Sequence, residues 1–280
     1  MPIKFRIKFK LKKPKHILEL SPDRIHALFL SLFPRKIAEE LHKPAPYRPF
    51  SIWFPEYFRI LFSTSSENER FSPFITHFTL ISSLLKEEYF SPLIANILEK
   101  KYFFLGDTRV EVVPYTSSFI KEEAFLTYEE LLEKAVASST FSFLFKTPTV
   151  FKRGKIDYPL PDPQILFKNL IRKWHYFSEI KVKADLNDCL IRKLQISYFK
   201  LKIRRVKLSL GGVITGFTGR VSFVVKEGRE EELKWLCVLG SFATFSGTGR
   251  KTTMGLGMTD FASNIQNVSD NLKKEEKDAC

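Results

Sequence analysis

Residues 3–12, IKFRIKFKLK, alternate without a break. Ile3, Phe5, Ile7, Phe9 and Leu11 fall on one side, and Lys4, Arg6, Lys8, Lys10 and Lys12 on the other. A period of two predicts a β-strand with one apolar face and a row of positive charges opposite. The pattern then changes. Pro14 and Pro22 bracket a connection, and Arg24 to Glu40 carries Ile25, Leu28, Phe29, Leu32 and Phe33 at helical spacing, interrupted at Pro34. Residues 43–54, KPAPYRPFSIWF, form a proline-rich turn leading into an aromatic strand. Ser63 to Arg70 reads as a polar loop, Phe74 to Lys101 as largely helical, and Val110 to Pro114 as a strand after a Gly106-Asp107 turn.

A second unit begins near Leu126. Phe141 to Lys146 is an apolar strand, and Pro161-Asp162-Pro163 precedes an amphipathic helix from Gln164 to Phe177. In residues 196–210, ISYFKLKIRRVKLSL, Lys200, Lys202 and Arg204 alternate with Leu201 and Ile203, and the Arg204-Arg205 pair breaks the phase as a bulge would. This is a second strand with a basic face. Gly219 to Lys226 reads as a further strand and Glu230 to Phe245 as a helix, and a glycine-rich segment follows. The expected fold class is α+β, helices packed on antiparallel sheets. The expected domains are residues 1–125 and 126–265, with 266–280 a polar tail that reads as disordered.

Composition sharpens this picture. The 280 residues include 45 Lys and Arg against 31 Asp and Glu, a formal charge of +14. Hydrophobic residues make up 44 %, and 28 of the residues are Phe, enough apolar material for folded cores. The basic excess points to a polyanion, nucleic acid before an acidic membrane surface. The three cysteines, Cys189, Cys237 and Cys280, have no CxxC spacing, so neither a zinc knuckle nor a disulfide framework is expected. No stretch reaches the roughly 20 apolar residues of a membrane span, and the N-terminus has no signal-peptide pattern. A soluble, cytoplasmic protein is the expectation.

Candidate chemistry concentrates near the end. Residues 245–261 read FSGTGRKTTMGLGMTDF, and Gly247, Gly249, Gly255 and Gly257 place four of the chain's 12 glycines within 11 residues. Glycine reaches positive φ and lets backbone approach a ligand closely, so such a loop can turn N–H groups toward phosphate, with Arg250 and Lys251 adding charge. The Walker spacing is absent because Lys251 does not follow the second glycine, and the GxGxxG pattern fails at Thr252.

At this segment the chain resembles the CRISPR-associated repeat-RNA endoribonucleases, the sixth Cas family of the RAMP superfamily. That family carries a glycine-rich loop similar to SGTGRKTTMGLG after a helix like the one ending LGSFATF. Residues 142–163, SFLFKTPTVFKRGKIDYPLPDP, look like its strand–TPT–F–PDP block, and residues 216–223, GFTGRVSF, like its GF-x-G-x-V strand. Residues 26–54 look like its first helix, LH pair and proline-rich strand start. The resemblance implies two ferredoxin-like (RRM-related) domains, each an antiparallel sheet with helices on one face. It implies CRISPR RNA maturation by metal-independent cleavage within the repeats of precursor RNA. The ribose 2′-OH attacks the adjacent phosphate, leaving a 2′,3′-cyclic phosphate and a 5′-OH. No cofactor or metal is implied. The implied partner is CRISPR repeat RNA; association with other CRISPR effector subunits, and a monomer or a homodimer, are all compatible with it.

Such a cleavage needs a base, an acid and positive charge on the phosphorane. Histidine suits the proton transfers near neutral pH. Of the five histidines, His16 lies in a basic linker, His77 in the stretch expected to be helical, and His175 on a helix of the second unit, where packing is the expected role. His42 ends the first helix within LHxxxxYRPF, and by resemblance it matches a catalytic histidine of one branch of the family, with Arg48 at the position of a supporting basic residue. That branch also has a helix tyrosine, where this chain has Phe29 or Leu30. His26, beside Arg24, matches the catalytic position of other branches. His42 with Arg48, and His26, therefore stand as the two candidate sites. RNA contacts are expected from Arg24, Lys200, Lys202, Arg204, Arg205, Arg220, Arg250, Lys251 and the loop glycines. The same fold without the missing tyrosine's chemistry, a non-catalytic subunit holding guide RNA, is the alternative, and an unrelated DNA-binding or ribosome-associated protein is the third reading.

Overall fold

The computed structural model describes residues 1–62, 73–100, 102–113, 125–182 and 189–263. The loop expected at Ser63 to Arg70 and the tail at 266–280 lie outside these residues. Two compact units emerge. The first takes in Met1–Leu126, Arg205–Ile214 and Lys251–Leu256; the second takes in Thr127–Arg204, Thr215–Arg250 and the chain from Gly257. Two segments from the second half thus join the first unit, which a linear division into 1–125 and 126–265 does not provide for.

The first unit contains β1 (Ile3–His16), α1 (Pro22–Ser31), α2 (Arg35–His42), β2 (Phe50–Trp53), α3 (Pro55–Phe62), β3 (Phe74–Leu84), α4 (Phe90–Glu99), β4 (Phe103–Leu105) and β5 (Thr108–Val112). Its sheet has the order β2-β3-β1-β5-β4. β1 lies in the middle, antiparallel to β3 (Ile3 opposite Leu84, Lys10 opposite His77) and to β5 (Phe9 opposite Val112). The alternation of β1 has its physical reason here. Ile3, Phe5, Ile7, Phe9 and Leu11 are all buried, and Phe9 stacks on Phe78 at 5.0 Å. Each such phenyl ring contributes roughly 1.5–3 kcal/mol through burial. Pro22 opens α1 at a position where a missing N–H costs nothing, and the break at Pro34 separates α1 from α2.

The second unit contains α5 (Tyr128–Lys134), β6 (Thr140–Thr149), β7 (Phe151–Arg153), β8 (Ile156–Tyr158), α6 (Pro163–Phe177), α7 (Cys189–Lys193), β9 (Leu194–Lys207), β10 (Val213–Val225), α8 (Glu230–Ser246) and β11 (Thr259–Ala262), with the tip of the β9–β10 hairpin belonging to the first unit. The sheet order is β11-β6-β10-β9. Strand–helix–strand–strand–helix–strand, with the last strand beside the first, is the ferredoxin-like arrangement, and β1, α1–α2, β2, β3, α4 and β5 repeat it in the first unit. Asp162 caps α6 by accepting the N–H groups of Gln164 (2.8 Å) and Ile165 (3.1 Å), and Pro163 follows it, so the PDP sequence is a helix start. The core is aromatic: Phe143 packs on Phe167 and Phe223, and Trp174 lies edge-on to Trp235 and Phe242.

One sequence expectation is corrected. Phe74 to Lys101 is not largely helical: β3 occupies Phe74–Leu84, and helix resumes only at Phe90. β3 pairs on both sides, with β1 and β2. A strand with two neighbours and buried side chains on both faces near its end shows a continuous apolar run, which periodicity alone confuses with a helix. His77 is consequently a strand residue, exposed, with its Nδ1 3.0 Å from Thr76 Oγ1.

Candidate functional site

In the first unit, His26 sits in the first turns of α1, half-buried, with its ring stacked on Phe50 at 5.8 Å. Its Nδ1 lies 2.8 Å from the carbonyl oxygen of Thr253, in the Lys251–Leu256 segment of the glycine-rich loop. A carbonyl only accepts, so Nδ1 carries the proton and Nε2 of the neutral ring presents its lone pair. Burial, and then the positive surroundings of His42, Arg48 and Lys251, hold the His26 pKa below the ordinary histidine value; the Thr253 hydrogen bond opposes the shift without reversing it. The four residues thus share one electrostatic neighbourhood. Two of them, His26 and Lys251, are brought together from opposite ends of the sequence.

His42 is the last residue of α2 and is exposed. Arg48 does not extend into open space. Its guanidinium donates to the carbonyls of Leu41, Lys43 and, at 3.0 Å, His42. It caps the C-terminus of α2, where backbone carbonyls lack partners and positive charge is favoured. Arg48 therefore fixes the backbone that carries His42. Phe29 and Leu30, which stand where a branch of the family has its tyrosine, are buried in the core. Arg24 donates to the Glu19 carbonyl at 2.8 Å.

The loop glycines serve geometry. Gly247, Gly249, Gly255 and Gly257 all have positive φ, between 61° and 83°. A Cβ on Gly257 would lie 1.9 Å from the Thr248 carbonyl oxygen, and one on Gly249 2.4 Å from that of Val150. Their N–H groups are occupied within the protein: Gly247 donates to Ala243, Gly249 to the Asn169 side chain, Gly255 to Thr252 and Gly257 to Pro148. The glycines shape the loop rather than point their amides outward. Lys251 is the only non-glycine residue with positive φ, 58°, among the described residues. Such a backbone costs a side-chain-bearing residue about 1 kcal/mol or more. Lys251 and the carbonyl that holds His26 are thus set by one tight turn.

Among the basic candidates of the second unit, Arg250 pairs with Asp157, which also holds Lys152 at 3.2 Å. Burial is the largest single influence on the Asp157 carboxyl and pushes its pKa up, but the hydrogen bonds and charges of Lys152 and Arg250 together outweigh it and hold the carboxyl below its usual range. Lys200 and Lys202 are exposed on β9, and Arg204 and Arg220 are half-buried. In the first unit's part of the hairpin, Arg205 is exposed. The expected alternation of β9 has an outcome the sequence does not show: only Leu194 and Val206 are buried, and Ile196, Tyr198, Phe199 and Ile203 are between 43 % and 65 % exposed. β9 is the edge strand of its sheet. A register shift falls in β10, between Phe217 and Gly219, where Gly219 accommodates the Lys200 carbonyl.

Two of the other histidines hold backbone groups. His175 accepts the Val182 N–H through Nε2 at 3.0 Å, and His16 accepts that of Leu18 through Nδ1 at 3.2 Å. Sequence reasoning missed Thr253, whose contribution is a backbone carbonyl, and two α6 residues described below. Among the described residues, no group of three or more His, Cys, Asp or Glu side chains is placed to hold a metal ion, and no helix is long and apolar enough to cross a membrane.

Comparison with known proteins agrees with this geometry. Residues 143–259 match the family described as CRISPR-associated endoribonuclease Cas6. A curated relative of that name from Streptococcus thermophilus is 27 % identical over 137 residues, 46 % of this chain and 53 % of its own. The chain spans about half the length of the curated relatives it matches. A solved Cas6 product complex superposes with a TM-score of 0.75 at 25 % identity, over 94 % of this chain and 100 % of that one. The fold of a Thermus thermophilus Cas6 gives 0.68 at 24 % identity, over 94 % and 98 %. With two ferredoxin-like units, the glycine-rich loop and these matches all in agreement, the chain resembles the Cas6 family across residues 143–259 and shares the fold of solved Cas6 structures.

Proposed function

We propose that this chain matures CRISPR RNA by cutting precursor RNA within its repeats, through attack of a ribose 2′-OH on the adjacent phosphate. The products are a 2′,3′-cyclic phosphate and a 5′-OH, and no step requires a metal ion. His26 takes the 2′-OH proton through Nε2. His42 protonates the departing 5′-oxygen, Lys251 neutralises charge building on the phosphorane, and Arg48 holds the His42 backbone. The bond to the 5′-oxygen breaks as the bond from the 2′-oxygen forms, and each proton has a named acceptor or donor. The observation that carries this reading is the His26 ring: one nitrogen is tied to the Thr253 carbonyl, which fixes the tautomer, and burial keeps the other nitrogen unprotonated near pH 7. A repeat-RNA substrate fits the +14 charge and the basic, aromatic-bearing β9, since RNA offers phosphates, 2′-OH groups and stackable bases.

Single-turnover cleavage of the cognate repeat RNA in EDTA tests it. His26→Ala and His42→Ala should each lose on the order of 10²–10⁴-fold in rate, and the wild-type product should carry a 5′-hydroxyl. Full activity in both variants would sink the site assignment. Tight RNA binding without any cleavage would leave the non-catalytic, guide-holding reading in its place.

A further inference from the structure

Lys173 is a lysine where lysines are rarely found. It lies on α6, in the second unit, only 5 % exposed. Among the described residues no carboxylate pairs with it: its ammonium donates to two backbone carbonyls, Ser246 at 3.2 Å and Gly247 at 2.8 Å. These are the last residue of α8 and the first glycine of the loop. One turn earlier on the same helix, the Asn169 side-chain oxygen accepts the Gly249 N–H at 3.3 Å. Two polar side chains of α6 thus grip the backbone at 246–249 with opposite polarity, one taking its carbonyls and the other its N–H. The next residue is Arg250.

Burying a cation among apolar neighbours is costly, and burial alone pushes the Lys173 amine down to about 7. An apolar side chain would fill the space more cheaply, so the cost calls for a compensating task. A helix C-terminus offers one, because its carbonyls lack partners and lie at the negative end of the dipole. An amine in either protonation state keeps at least two N–H donors, so the grip survives loss of the proton. With Gly249 seated against the Val150 carbonyl and the Arg250 N–H donating to it at 2.9 Å, the backbone up to Arg250 has little freedom left.

We propose that Lys173 and Asn169 are positioning residues for RNA binding, acting through the backbone of residues 246–249 on Arg250. The proposal rests on the reading that the loop's basic side chains meet RNA. Neither α6 residue touches the substrate. Their role is to keep the Arg250 guanidinium in one place, so that its ordering cost is met by folding and not by binding.

The test is a double-mutant cycle on the dissociation constant for uncleaved repeat RNA, with a 2′-deoxy nucleotide at the cleavage site. Lys173→Met, which keeps length and removes the donors, should weaken binding about tenfold, similar to Arg250→Ala. Combined with Arg250→Ala it should add less than about twofold, because a positioning residue has nothing left to position. Asn169→Ala, a milder change, should follow the same non-additive pattern and keeps the test decisive should Lys173→Met fail to fold. Normal affinity in Asn169→Ala and Lys173→Met beside a weakened Arg250→Ala would overturn the proposal alone, as would fully additive losses. Normal affinity in Arg250→Ala would overturn the RNA-facing loop itself, and the proposal with it.

Discussion

The start of α1 and the end of α2 each present a histidine, and the two are prepared differently. His26 is desolvated, stacked on Phe50 and tied to a backbone carbonyl, so its tautomer and ring plane are set. His42 is exposed, and what is held there is its backbone, by the Arg48 cap on three carbonyls. The contrast suits the two proton-transfer roles proposed for them. A base must be neutral and aimed before the reaction begins. An acid that acts on a leaving group needs freedom to follow it.

The sharpest way to break this comparison is to change the leaving group. Replacing the bridging 5′-oxygen with sulfur creates a group that departs without a proton. It should restore most of the 10²–10⁴-fold loss in His42→Ala and leave His26→Ala inactive. Rescue of His26→Ala alone would reverse the assignment, and rescue of both would remove the distinction between the two histidines. A smaller effect is expected from Arg48→Ala. Losing a charged cap on the α2 terminus should cost about 1–3 kcal/mol in stability and slow cleavage less than His42→Ala does. Thermal denaturation and single-turnover rates measure both, and an unchanged melting temperature would argue against the capping role.

Acidity separates the histidines more gently. Because the folded His26 has a lowered pKa, the acid limb of the rate profile should have its midpoint below the ordinary histidine value of about 6.5, and it should change in His26 variants. The unfolded chain takes up the proton at higher pH than the folded one. The stability contribution is therefore full above about pH 6.5 and is lost as pH falls through the folded pKa. Comparing melting temperatures of wild type and His26→Gln between pH 5 and 8 should show a larger loss in wild type, since His175, whose pKa burial also lowers, titrates in both. The smallest effect belongs to β9. Lys200→Ala with Lys202→Ala should lower affinity a few-fold and reduce the slope of log affinity against log salt by about 1, leaving the rate of the saturated complex alone.

Much of this was legible in the chain. The alternation of residues 3–12, the PDP helix start, the break at Pro34 and the positive-φ glycines all describe local geometry, which neighbouring residues decide. β3 was misread because pairing with two partners erases the alternation by which a strand is recognised. β1 and β9 look alike as sequences, each with alternating basic residues, yet one is central with a buried face and the other is an edge strand exposed on both. Alternation predicts extended backbone; a strand's place in the sheet depends on which other strands pair with it.

The candidate site divides along the same line. His26, His42, Arg48 and the Arg250-Lys251 pair were recognisable from residue type, spacing and family resemblance. Arg48's work as a helix cap, the Thr253 carbonyl that selects the His26 tautomer, and the Lys173–Asn169 grip were not. Each of these uses a backbone group as partner, and backbone groups are the same at every position of a sequence. The sequence by itself determined that the chain forms two α+β units with a basic, glycine-shaped loop. Only the tertiary structure decided which carbonyls and amides meet which side chains, because those contacts join residues as distant as His26 and Thr253.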